Sequence, residues 1–519
     1  MRRRSIVPAL VAAALAAGAC GAALAQRPAP RAPLAHALLI SVDGLHALDL
    51  QRFVAAHPGS ALASLAAHGL TYSQARTPAP ADSFPGLLAL LTGGGPATTG
   101  VYYDVSYDRT LAPPGSACRH TGTVVRYDES LDLAGAPGGA PVLDERRLPL
   151  DPARGCAPVY PHQYLRVNTV FDVLHAAGRR TAWADKHPAY EIVAGPAGTG
   201  VDDLYTPEIG ANFKGPGEGP GEAEAGADKV TASVERTAAY DRRKAQAVLH
   251  WIAGRRHDGA PFAGLPAGAP ALFGLNLQAV NVGQKRGGYR DAAGRPSAAL
   301  AQALRDTDAL VGTLVSALRA QGLLASTLVV ITAKHGNDPI DPARLRAVPR
   351  AALLRAVTEA AGTAPAQLTS DSGALVWLRD SHSAASVAAA LRRQAGALGI
   401  ERVLTGAALD RALGQAPGSA PDAARRPDLV VQPRRGVIYT AAGDDKRAEH
   451  GGLSDEDRHV ALLLSNPVWF GAARRISQPV STQQVAPTLL AALGLDPLQL
   501  QALQRQPAAP LPGVEPVAR

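Results

Sequence analysis

Cysteine is scarce in this chain, with three in 519 residues. Cys20 falls near the N-terminus, which leaves Cys118 and Cys156 for the remainder. Two thiols are too few for a disulfide framework and allow one bridge at most. Closing the loop between them would contribute about 3–4 kcal/mol in the chain-entropy model. Two reduced structural thiols are the other reading.

Long apolar runs are also lacking. The one candidate follows "MRRR", is rich in alanine and is too brief for a comfortable membrane span. With the small residues Ala23 and Ala25 behind it, it reads as a secretory signal over residues 1–25. A lipid anchor at Cys20, in "AGAC", would need a leucine three residues earlier and finds none. The expectation is a periplasmic or secreted protein with no integral membrane segment after cleavage. Strong charge is missing too. The formal net charge is +8, and loss of Arg2, Arg3 and Arg4 with the signal lowers it to +5. That excludes a nucleic-acid polymer as the natural partner and slightly favours small anionic substrates. No repeat of 20 to 50 residues is present, which excludes a solenoid.

What the chain does have is alternation. "HALLISVD" (36–43) is a continuous apolar run of the kind found in buried parallel strands. "GRRTAWAD" follows the helical "NTVFDVLHAA", and "PALFGLNLQAV" follows a long helical stretch at 230–254. "STLVVITAK" follows "SAALAQALRDTDALVGTLVSALRAQG", and "HVALLLSN" precedes "TQQVAPTLLAALG". The pattern predicts an α/β fold: a mostly parallel central sheet with helices on both faces. Two regions interrupt it. Residues 104–165 are rich in turns and hold both cysteines, and residues 345–445 read as an inserted α+β subdomain. "GPGEGPGEAEAG" (215–226) reads as a flexible surface loop, and residues 506–519 as an extended tail.

Sites in such folds lie beyond the carboxyl ends of the strands. Asp43 in "SVDGL" and Lys334 and His335 in "TAKHG" stand there. "SFPGLLALLTG" reads as a short apolar helix with Ser83 at its N-cap, where helix dipole and free amides stabilise an alkoxide or a phosphate. His450 follows in "AEHGG", and the last helix reads "QVAPTLLAALGL".

In order and spacing these segments resemble the alkaline phosphatase superfamily, in its type I phosphodiesterase/nucleotide pyrophosphatase branch. The resemblance runs from about residue 36 to 505. A sulfatase would need an arginine soon after the nucleophile turn, where Gly86, Leu87 and Leu88 stand instead. The resemblance implies an alkaline phosphatase-like fold and two zinc ions flanking a nucleophilic hydroxyl. Ser83 would be the nucleophile, and Asp43, His335 and His450 metal ligands.

Three positions depart from that pattern. The family's Asp-His pair appears as Lys334-His335. Its Asp-x-x-Gly-His ligand segment falls on "VNVGQK", with Val280 and Gln284 at the ligand positions and Asn281 beside them. Its phosphate-contacting Asn falls on Asp104. The simplest electrostatic reading places the Lys334 ammonium in the space of a zinc ion, paired with Asp43. Ser83, Lys334 and His335 then form the catalytic set, with His335 as base. Asp104, Asn281, Gln284 and Lys285 become candidate substrate contacts. Asp185 and His187 in "ADKHPAYE", together with His450, could rebuild a metal site near Asp202 and Asp203, or could be loop ion pairs. The cofactor expectation is zinc or another divalent cation at one site, or none. The functional expectation is an exported hydrolase of phosphodiester or nucleotide pyrophosphate-type substrates acting through a covalent Ser83 intermediate. The alternative is a catalytically inactive secreted binding protein for an anionic ligand. A transferase would share the covalent step.

Overall fold

The structure is a computed structural model that describes residues 31–133, 142–207, 230–262, 268–415, 420 and 422–514. The N-terminal signal, the 215–226 loop and the last five residues of the tail lie outside the described residues.

One eight-stranded sheet organises the chain. Its strands are β1 (His36–Val42), β2 (Gly69–Tyr72), β3 (Thr181–Ala184), β4 (Asp203–Tyr205), β5 (Leu272–Leu277), β6 (Thr327–Thr332), β7 (Leu462–Ser465) and β8 (Arg474–Ile476). They lie in the order β4-β3-β5-β1-β6-β7-β2-β8. The strands β4, β3, β5, β1 and β6 are mutually parallel. β5 and β6 are buried at every residue and β1 at all but His36, which requires cover on both faces and accounts for their unbroken apolar sequences. β7 runs antiparallel to both β6 and β2, so the sheet is mixed and mostly parallel. β2, β4 and β8 have four, three and three residues, too short to leave a periodic signal.

The helices that matter for the site are α1 (Ser83–Thr92), α2 (Val234–Ile252), α3 (Ala279–Gly287), α4 (Ala298–Ala320) and α5 (Val485–Ala492). Helices α2, α3 and α4 pack together, with α2 against β5, while α1 packs on α5. Ser233 and Ser297 cap α2 and α4 by accepting from the amides of Arg236 and Leu300. Among the described residues no helix is long and apolar enough to cross a membrane.

The region 345–445 contains a separate four-stranded antiparallel sheet, ordered Gln367–Ser370, Ala374–Trp377, Leu429–Pro433, Ile400–Thr405. Leu353, Val357, Val376, Leu391 and Val431 form its core. Region 104–165 folds as three short hairpins, and a Cys118–Cys156 disulfide ties the loop of the first to the turn of the third. Residues 507–514 have neither helix nor strand but are docked: the Leu511 amide donates to Thr488 Oγ1, and Tyr72 donates to the Pro512 carbonyl.

Helix α1 approaches the end of β6 very closely. A Cβ on Gly86 would lie 2.0 Å from the Lys334 carbonyl oxygen. That oxygen accepts from the Thr77 hydroxyl at 2.8 Å. Glycine at this position is what lets the first turn of α1, and with it Ser83, sit against the Lys334–His335 segment. Gly86→Ala is therefore expected to destabilise the protein by about 2–3 kcal/mol through overpacking, measured by urea denaturation. Unchanged stability would mean that α1 is free to move off the strand.

Candidate active site

Four neighbouring parallel strands, β3, β5, β1 and β6, bring their carboxyl ends together. Asp185 and Lys186 follow β3, Asn276 and Gln278 lie at and just after the end of β5, Asp43 follows β1, and Lys334 and His335 follow β6. Ser83 reaches this point from α1. It was expected at the N-cap, but the N-cap is Asp82, whose backbone is extended and whose carboxylate accepts from the Phe84 amide. Aspartate outcompetes the next residue for the cap because its carboxylate reaches back to the helix amides. Ser83 is thus the first helical residue and keeps its hydroxyl at the positive end of the helix.

The Ser83 hydroxyl meets Lys186, His335 and the Tyr190 hydroxyl. Lys186 Nζ donates to Oγ at 3.2 Å, and His335 Nε2 lies 3.4 Å from it. His335 Nδ1 is 3.1 Å from the Gly336 carbonyl, which can only accept, so Nδ1 is the donor there and Nε2 is the nitrogen that faces Ser83. The His450 ring stacks on His335 at 3.6 Å, and its Nδ1 meets Asn337 Oδ1 at 3.1 Å.

Asp43 is the hub. Its Oδ1 accepts from Asn276 Nδ2 at 2.6 Å and lies 3.4 Å from Lys334 Nζ. Its Oδ2 accepts from Gln278 Nε2 at 2.5 Å and lies 3.2 Å from Lys186 Nζ and 3.7 Å from His335 Nε2. Lys334 also lies 3.6 Å from Asp185 Oδ1 and donates to the Tyr190 hydroxyl at 3.2 Å. Deeper still, Lys244 pairs with Asp241 at 3.2 Å, and Asp241 accepts from the amides of Gln278 and Ala279.

Burial acts on every one of these charges. It would raise the Asp43 carboxyl, but the Lys334 and Lys186 ammonium groups outweigh it and hold Asp43 well below the usual carboxylate range. Burial brings Lys334 down to about 8 despite Asp185 and Asp43. Lys186 ends above the usual lysine value: burial lowers it, but Asp43 and Asp185 more than compensate. Burial, with His335 and Lys285 nearby, keeps His450 neutral. Lys186 is therefore a firm cation facing the hydroxyl, while Lys334 is wholly buried and faces the carboxylates.

The remaining expected residues fall in other networks. Gln284 is fully buried: it donates to the Gly44 carbonyl and Asp49 and accepts from Asn337 Nδ2. Asn281 Oδ1 also accepts from Asn337, and Val280 lies in the apolar core. Lys285 is paired with Glu449 at 2.7 Å, beside Lys446. Asp104 lies near Asp82 and Asp371; burial and these neighbours raise its carboxyl well above the usual range. The alternative metal set does not assemble. Asp185 faces Lys334, His187 Nδ1 lies 3.8 Å from Asp132, and Asp203 is bound to Trp251 and His257. Asp202 accepts from the Thr181 amide at the opposite end of β3.

The sequence reading missed Lys186, Asn276, Gln278 and Asn337 as site residues. The signal for two of them was there: "LNLQ" puts polar groups at the end of an otherwise apolar strand. A cavity of about 760 Å³, lined by His46, Leu50, Ala66, Arg435 and Arg475 among others, contains none of these groups.

These residues do not fit a two-zinc centre. Among the described residues no group of three or more His, Cys, Asp or Glu side chains could hold a metal ion. A carboxylate offers about four lone-pair positions, and Asp43 already faces four donor groups, two amides and two ammoniums.

A family model described as Type I phosphodiesterase / nucleotide pyrophosphatase matches residues 37–455. The fold is similar to that of murine ectonucleotide pyrophosphatase / phosphodiesterase 5, with a TM-score of 0.54 at 14% identity over 89% of this chain and 95% of that one. It is also similar to the wild-type alkaline phosphatase PafA, with a TM-score of 0.58 at 13% identity over 91% and 97%. No curated protein sequence gives a significant match.

The Glu449 carboxyl supplies a pH test. Burial would raise it, but the Lys285 and Lys446 ammonium groups bring it down to about 2. A lowered carboxyl adds stability above its ordinary value of 4.5, and that share is lost as pH falls toward 2. Glu449→Gln should therefore be less stable than the wild type at neutral pH, with the gap closing on acidification in urea denaturation. Parallel declines would show that the pairing does not hold Glu449.

Proposed function

Because this chain belongs to the type I phosphodiesterase/nucleotide pyrophosphatase family of hydrolases, we propose that it cleaves phosphodiester or nucleotide pyrophosphate-type bonds through a covalent intermediate on Ser83. The observation that carries this reading is the Ser83 hydroxyl held between the Lys186 ammonium and Nε2 of His335. The Cys118–Cys156 disulfide supports a site of action outside the cytoplasm, in the periplasm or beyond the cell.

In the first half-reaction His335 Nε2 takes the Ser83 proton as Oγ bonds to phosphorus. The bond to the leaving oxygen breaks, and that oxygen takes its electron pair and the proton from the His335 imidazolium. Asp43, 3.7 Å from Nε2, stabilises the imidazolium in between. In the second half-reaction His335 takes a proton from water, whose oxygen bonds to phosphorus. Oγ leaves with its electron pair and recovers the proton. Lys186 and the N-terminus of α1 stabilise charge on Oγ in both steps. Lys334, 3.4 Å from Asp43, helps keep that carboxylate ionised.

The test is turnover of an aryl phosphodiester by the mature protein, with rapid acid quench and mass spectrometry of the Ser83 peptide. Ser83 should carry the phosphoryl adduct, and Ser83→Ala should lower the rate at least ~10³-fold. Turnover that survives Ser83→Ala would remove the covalent reading. No turnover of diester or pyrophosphate substrates by the wild type would favour the inactive binding protein.

A further inference from the structure

We infer that Lys186 and Lys334 together take over the charge role of both metal ions, with Lys186 as the catalytic cation, so that this site runs without a divalent metal. The inference rests on the reading of Ser83 as the nucleophile and adds to it a second lysine that stands in the sequence as an ordinary loop residue.

The first support is the occupancy of Asp43. Two amide nitrogens, two ammonium groups and an imidazole nitrogen surround its two oxygens within 2.5 to 3.7 Å. A metal ion would have to displace at least two of them, and each displaced lysine would then stand beside a dication. The second is the fate of the other ligand positions. Val280 is apolar and in the core, Gln284 is spent on Gly44, Asp49 and Asn337, and the Nδ1 of His450 faces Asn337. The third is charge balance. Lys186, Lys334 and Lys244 alternate with Asp43, Asp185 and Asp241 in one buried array. Each of the three lysines thus has a carboxylate partner, and each of these carboxylates already has its cation.

The two lysines divide the work by position. Lys334 is fully buried, lies over the Tyr190 ring at 4.5 Å and reaches both Asp43 and Asp185. Its place is structural to the array. Lys186 keeps 13% of its side chain exposed and donates to the oxygen that bonds to phosphorus. A compact ammonium acts there as a fixed point charge on developing alkoxide.

The experiment combines metal analysis with variants of the full mature chain. After dialysis against a chelator, elemental analysis should find substoichiometric metal, diester turnover should be unchanged, and added zinc should not raise it. Lys186→Ala should lose about 10²- to 10³-fold in rate, with partial recovery from small primary amines and better recovery in Lys186→Arg. Loss of turnover on chelation with return on zinc addition would overturn the inference. So would full activity in Lys186→Ala. A direct zinc titration decides the matter even for a chain without turnover: tight stoichiometric zinc that disappears in His335→Ala would overturn it, and its absence supports it. Failure of the Ser83 reading is seen separately, as metal-free turnover that persists in Ser83→Ala.

Discussion

Everything at the centre of this protein depends on keeping one carboxylate charged in the dry interior. Asp43 has no exposed surface. Moving such an ion out of water costs of order 20 kcal/mol in the idealised limit, and several after relaxation. That cost is offset only if every lone pair finds a donor, and here the donors come from three other strand ends and their turns. Asn276 and Gln278 contribute amides, and Lys186 and Lys334 contribute full charges. Removing one ammonium from a buried pair of this kind typically costs 3–5 kcal/mol. The groups proposed for catalysis are therefore also groups that stabilise the sheet end.

The fold delivers these donors because adjacent strands in space are distant in sequence. β3, β5, β1 and β6 are neighbours in the sheet, although β3 and β5 enter far later in the chain than β1. Parallel pairing points all four carboxyl ends the same way, and the Gly86 contact seats α1 on top of them. Aromatic rings from three segments pack beside the nucleophile turn. Phe84 stacks on Tyr190 at 4.5 Å and meets Tyr127 at 4.9 Å, and Tyr127 lies at the end of the first hairpin. Low-dielectric surroundings of this kind strengthen the attraction between an ammonium and a nearby negative charge.

The proposed change of chemistry is compatible with the family relationship. The parallel sheet, the nucleophile helix and the strand-end aspartate are scaffold features that tolerate different cations in the same space. An ammonium and a metal ion both meet the demand of Asp43 for positive charge. They differ in geometry, since lysine brings its own tether from β3 or β6 and needs no further carboxylate ligands. On the proposed replacement of metal by lysine, Val280 and Gln284 are not needed as ligands.

Local pattern was enough to place much of this. Unbroken apolar runs ending in Asp43 and in Lys334–His335 marked buried strands and their active ends, because burial on both faces leaves no room for alternation. The short helix after Asp82 and the cation where the family has an acid were also legible, since each is a property of adjacent residues. The direction of β7, the strands of three or four residues and the partners of Lys186 were not. Lys186 in "ADKHP" looks like any loop lysine until β3 is set two strands from β1, with β5 and its amides between them. Which donor meets which oxygen is decided by sheet order and by the angle at which each side chain leaves its strand, and neither quantity is written in a stretch of neighbouring residues.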